Sequence, residues 1–134
     1  FPILTMVVSD ADKALSVIRS ARKDLLGDFG LLSLSNSTRR LLKQHDDYWT
    51  GPVWLNLNFM MLRALHTKYI GLVGEEAEQL YTELRANLIR NVGQEYVRTG
   101  KLWENYDVKT GRGRGTAPFT GWTALIIAIM AEQY

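Results

Sequence analysis

The chain has 134 residues, 46% hydrophobic and 22% charged, a composition that excludes disorder and suits one globular domain or a piece of a larger one. Its formal net charge of +2 is small and spread along the chain, which argues against a nucleic-acid or membrane partner recognised by charge. The absence of cysteine excludes a disulfide framework and thiolate metal sites.

The first residues, FPILTMVVSD, lack the basic segment, long apolar core and small-residue cleavage site of a signal peptide, so the chain is expected to begin in mid-protein. Ser9 stands three residues before Asp12, the spacing of a capping box with Asp in the Glu position. Ala11, Ala14, Leu15, Ile18, Ala21 and Leu25 then recur at helical spacing, which predicts an amphipathic helix up to Gly27. Residues 27–52 lose that period and read as a long connection with one short helical turn over residues 38–44. Within it, Asn36-Ser37-Thr38 fits the N-glycosylation pattern, which has meaning only in a secreted chain.

A second helix is expected from Pro52, buried on most sides because Val53, Trp54, Leu55, Leu57, Phe59, Met60, Met61, Leu62, Ala64 and Leu65 surround its axis. Gly71 and Gly74 are expected to close it, and Glu75 and Glu76 suit the amide end of a third helix. That helix carries an apolar stripe through Ala77, Leu80, Tyr81, Leu84, Leu88, Val92 and Tyr96 and stops at Gly100. A second long loop, WENYDVKTGRGRGTAPFTGW, fills residues 103–122. Thr120 or Thr123 is expected to cap a last buried helix over residues 124–133. Its apolar run is about half of the ~20 residues a membrane span needs. The class is therefore all-α.

Loops longer than roughly 12–15 residues are uncommon in compact domains unless they are functional or disordered. These two hold Trp49, Trp54, Trp103, Tyr106, Phe119 and Trp122 in or beside them, a composition too aromatic for disorder. Trp49 and Trp54 flank a Gly-Pro turn in YWTGPVW, and their flat faces suit sugar rings, bases, cations or plain core packing. Glu104 lies between Trp103 and Tyr106. It reads either as a solvated loop glutamate or as a catalytic carboxyl whose proton affinity is raised by desolvation. The GRGRG run, residues 111–115, matches neither a P-loop nor a dinucleotide fingerprint and reads as a flexible basic turn. His45 and His66 have no ligand spacing around them, so no metal or other cofactor is expected. No Ser or Cys stands in a nucleophile motif, which leaves carboxylate chemistry as the enzymatic route.

Together, YWTGPVWLNLNFMML, ELRANLIRNV and LWENYDVKTGRGRGTAPFTGWTALIIAIMAEQY, with FGLLSLS as a weaker block, resemble the C-terminal end of glycoside hydrolase family 63. The resemblance implies that residues 1–134 are the C-terminal portion of one (α/α)6 barrel whose helix-connecting loops form a sugar pocket. It further implies an inverting α-glucosidase that trims the terminal glucose of newly transferred N-glycans in the endoplasmic reticulum lumen. Glu104 in WENYD would be the general base, and Trp49 and Trp54 would line the glucose site, with Trp103, Tyr106, Phe119 and Trp122 as further substrate-binding candidates. The family's acid is an aspartate upstream of these motifs, and Asp10, Asp12, Asp46 and Asp47 lack its context. The chain is therefore expected to be inactive without the N-terminal part of its polypeptide. The family usually has arginine where Thr50 and Leu32 stand, and often cysteine where Thr116 stands. Two other readings stay open: a related six-hairpin hydrolase of a small glucoside such as trehalose or a glucosylglycerate, and a non-catalytic helical module that binds sugar or a partner.

Overall fold

A computed structural model describes residues 2–35, 37–38 and 48–134. Asn36, His45, Asp46, Asp47 and most of the expected helical turn over residues 38–44 lie outside the described residues. The structure is all-α, with five α-helices and two short ribbons among the described residues.

Helix α1 spans Ala11–Leu25, as its apolar spacing predicts. The cap, however, is Asp10, whose carboxylate accepts from the Lys13 amide at 2.9 Å. Ser9 is one residue too early to reach that amide, and its hydroxyl accepts from Lys68 Nζ instead. The connection that follows is not wholly irregular. Strands β1, Leu26–Gly27, and β2, Gly30–Leu31, pair antiparallel across a two-residue turn, too short for any period to register in sequence.

Helix α2, Leu55–Ala64, continues through a π-helical turn, Leu65–Tyr69, into α3, Ile70–Val73. Gly71 therefore sits inside the helix, and Gly74 alone ends it, at φ 71°. Leu55, Met61, Leu62 and Ala64 are buried, but Met60 is exposed and Leu57 and Phe59 half-buried, so α2 is less enclosed than its composition suggests.

Helix α4, Glu75–Thr99, ends at Gly100 in the left-handed conformation, where glycine avoids the Cβ clash. It packs on α1, α3 and β2, and its stripe from Ala77 to Val92 forms much of the core. Each leucine buried there contributes about 1.5–3 kcal/mol relative to exposure. The stripe ends on Glu95 rather than Tyr96: Glu95 is buried and Tyr96 exposed. After the four-residue steps 84, 88 and 92, a three-residue step is what returns a 3.6-residue helix to the same face.

After the second loop, a 3-10 turn, Trp122–Ala124, leads into the short helix α5, Leu125–Met130. Neither threonine caps it. Thr123 is buried and donates to the Trp103 carbonyl at 2.6 Å. Arg85 of α4 holds the other end, donating to the carbonyls of Ile129 at 3.0 Å and Met130 at 2.9 Å. Only Ile126 and Ile129 of α5 are buried, whereas Ile127 and Met130 are exposed. The expected buried helix is thus a surface helix of this chain. Among the described residues no helix is long and apolar enough to cross a membrane.

Candidate active site

Backbone pairing brings the two aromatic loops together. Val53 and Tyr106 exchange both amide-to-carbonyl bonds, at 2.9 and 3.0 Å, so the turn of YWTGPVW lies beside WENYD. Leu32 bridges to the other side of Val53, and β3, Asn105–Tyr106, pairs with β4, Gly113–Arg114. The result is a small irregular sheet that links three of the four sequence blocks, the fourth, ELRANLIRNV, lying in α4. Leu32 is buried in it, an apolar position that suits leucine. Ser33 fastens the turn further, donating to the Trp49 carbonyl at 2.7 Å and accepting from the Gly51 amide at 2.9 Å. Asn58, fully buried on α2, completes the frame: its side chain accepts from Leu31 N and donates to the carbonyls of Leu31 and Trp54.

On this frame Trp49 stacks on Trp54, with ring centroids 4.9 Å apart and planes 21° from parallel. Tyr48 meets both indoles edge-on, at 5.0 and 5.2 Å. Trp122 meets Trp54 at 5.7 Å, and Phe119 tilts against Trp122 at 4.9 Å. Trp49 is 56% exposed and Trp54 only 1%, so one indole faces outward and the other supports it from below.

Glu104 is buried beside these rings. The Tyr48 hydroxyl donates to its Oε1, and the Thr116 amide donates to Oε2 at 3.1 Å. Its main chain is held too: Glu104 N donates to Thr116 O at 3.1 Å, and Trp122 Nε1 donates to Glu104 O at 2.7 Å. The Tyr48 hydrogen bond, followed by the Thr116 amide, lowers the carboxyl's pKa below its ordinary value despite desolvation acting the other way. Neither reading of Glu104 holds, since it is buried rather than solvated, and its proton affinity is lowered rather than raised because donors aimed at the charged form outweigh burial.

Two expected site residues are placed elsewhere. The Trp103 indole lies over Gly113, where an added Cβ would come within 2.0 Å of the ring, and its Nε1 donates to Thr99 Oγ1 at 3.3 Å. Tyr106 is fully buried in the core and offers no surface to a ligand. The GRGRG alternation is explained by packing rather than flexibility. A Cβ on Gly111, Gly113 or Gly115 would meet Asn91, Trp103 or Glu104 at 2.2, 2.0 and 2.4 Å respectively. Between them, Arg112 lies 3.5 Å from Glu95 and Arg114 lies 4.0 Å from Asp107.

Glu95 also accepts from the Gly113 amide at 2.9 Å and from Arg98, whose hydrogen bond leads in pulling its pKa down to about 2. Sequence reasoning missed this clamp, although Glu95 has the spacing of the buried stripe. It missed Tyr48, Ser33, Asn58 and the Thr116 amide as well, and only Asn58, polar among apolar neighbours, carried a local signal. His66 lies between the rings of Tyr81 and Tyr134, at 5.4 and 5.2 Å, away from these loops. Among the described residues no three His, Asp or Glu side chains converge as a metal site requires. The chemistry assembled is an ionised carboxylate able to accept a proton from water, next to an outward indole able to stack on an apolar sugar face.

Residues 1–132 match the model of the glycosyl hydrolase family 63 C-terminal domain. Over its whole length the chain is 42% identical to a mannosyl-oligosaccharide glucosidase of Arabidopsis thaliana and 40% identical to an alpha-glucosidase 2 of the same plant. Over 98% of its length it is 36% identical to a probable mannosyl-oligosaccharide glucosidase of Schizosaccharomyces pombe. It spans only 17%, 18% and 17% of these three relatives.

Proposed function

This chain belongs to glycosyl hydrolase family 63, within its C-terminal domain, and from that premise we propose that it forms one wall of an inverting α-glucosidase site that trims glucose from N-linked oligosaccharide precursors. Glu104 is the general base, and the observation that carries this role is its carboxylate, held ionised by Tyr48 and Thr116 beside the Trp49–Trp54 stack. An inverting enzyme needs base and acid roughly 6.5–9.5 Å apart, so that a water fits between base and anomeric carbon. Glu104 takes the proton of that water as its oxygen bonds to the anomeric carbon, and the acid protonates the departing oxygen. Glu95 and Asp107, the other carboxylates of this region, are bound to Arg98 and Arg112 and to Thr110 and its neighbours. The acid, as the family resemblance implies, is an aspartate of the longer polypeptide, upstream of these motifs.

The exposed Met60, Ile127 and Met130 support the presence of further helices over α2 and α5, as in an (α/α)6 barrel. A substrate of this class puts the protein in the endoplasmic reticulum lumen. Trp49 is the side chain offered to the sugar, Trp54, Phe119 and Trp122 set its position, and Trp103 and Tyr106 act through the loop they hold.

In the full-length enzyme, Glu104→Gln is expected to lower glucose release from a glucosylated N-glycan by about 10²–10⁴-fold, the range for loss of a positioned base. Near wild-type turnover would overturn the assignment. Parallel assays on trehalose and a glucosylglycerate decide between the N-glycan reading and a small-glucoside hydrolase.

A further inference from the structure

Tyr48 stands 56 residues before Glu104 in the chain, yet its hydroxyl donates to Glu104 Oε1. The two carboxylate oxygens are not equivalent. Oε2 is bound by the Thr116 amide and closed over by Gly115, where no Cβ would fit. Oε1 is bound instead by Tyr48, which is 39% exposed, so this oxygen is the one met by a residue that reaches solvent. The phenol is itself held edge-on by both indoles, which fixes where its hydroxyl points.

We infer that Tyr48 is a positioning residue for the hydrolytic water: its hydroxyl holds Oε1 of Glu104 charged and aimed, and its oxygen accepts a hydrogen bond from the water that Oε1 deprotonates. A phenol that donates its proton keeps acceptor lone pairs, so both contacts are compatible. Tyr48 keeps its own proton throughout, and the water's proton goes to Glu104. This inference rests on Glu104 being the base.

Among the described residues, the groups facing that carboxylate are few. Tyr48 comes from the first aromatic loop, and the Thr116 amide and hydroxyl come from the returning strand. Trp122 reaches the Glu104 carbonyl and does not titrate. The charged groups nearby are engaged with one another, Glu95 with Arg98 and Arg112, and Asp107 with Arg114. Tyr48 is therefore the titratable side chain, among the described residues, that sets the charge state of the base.

The test is Tyr48→Phe in the full-length enzyme, with kcat and KM for a glucosylated N-glycan followed across pH. The expected result is a fall in kcat of about 10-fold or more with a smaller change in KM, as for an interaction used mainly in the transition state. The acidic limb of kcat/KM should also move to higher pH, because a base without its donor holds its proton more tightly. Replacing Tyr48 by 3-fluorotyrosine, a stronger donor of the same shape, should move that limb to lower pH. An unmoved limb in both proteins, or kcat within twofold of wild type in Tyr48→Phe, overturns the inference. Glu104→Gln serves as the separating control: if it remains active the base assignment itself fails, whereas its loss with an unmoved Tyr48 limb condemns only the role given to Tyr48.

Discussion

At residue scale, the behaviour of Glu104 is decided by what touches each of its oxygens. Its position between Trp103 and Tyr106 invites the expectation of a desolvated carboxyl with raised proton affinity, yet an amide and a phenol aimed at it reverse the sign. Gly115 makes this geometry possible, since its φ is 73° and an added Cβ would lie 2.4 Å from Glu104 Oε2. Gly115→Ala is therefore expected to push the carboxylate away from the Thr116 amide and lower kcat of the intact enzyme about 10²-fold, the cost typical of a misplacement near 1 Å. A variant with unchanged kcat would mean that the loop absorbs the methyl group without moving the Glu104 carboxylate. Trp49 and Glu104 were singled out in the sequence by the family motifs around them, since residue type alone left each open between a site role and a plain packing or solvated one. Tyr48 and Glu95 were not, because their roles exist only through partners elsewhere in the chain.

At the scale of elements, the long helices were legible and the short ones were not. The extents of α1 and α4 follow from apolar spacing and, for α4, a terminal glycine, all local features, although the cap of α1 is Asp10 rather than Ser9. The π-helical turn at Leu65–Tyr69 and the two-residue strands leave no period to read, and α5 is shorter than its apolar run, with Arg85 donating to its last carbonyls. Gly93 offers a test of α4. It lies exposed in the helix interior, and an added Cβ there meets nothing within 4 Å. Gly93→Ala should stabilise the protein by about 0.5–1 kcal/mol through the smaller entropy lost on folding. Urea unfolding would reveal it as a higher midpoint with an unchanged slope; a lower midpoint would mean that this face of α4 is covered in the intact protein.

At the scale of the whole molecule, one wall of a site cannot hydrolyse a glycoside. Without an acid to protonate it, the departing oxygen leaves as an alkoxide, and a positioned base alone does not overcome that barrier. The purified 134-residue chain, with its helical circular dichroism intact, is expected to release no glucose above buffer from a glucosylated N-glycan. Measurable release would show that the chain carries its own acid. What the sequence by itself determined is the helical class, the positions of the long helices and the family, since periodicity, helix-ending glycines and ordered motifs are written in neighbouring residues. Only the tertiary structure decided which indoles share a stack, why glycine alternates with arginine in GRGRG, and in which direction the proton affinity of Glu104 moves. The glycine contacts and the proton affinity of Glu104 depend on groups that approach across 10 to 56 residues of chain, and the stack on how the turn between Trp49 and Trp54 folds, so each follows from packing in three dimensions rather than from local order.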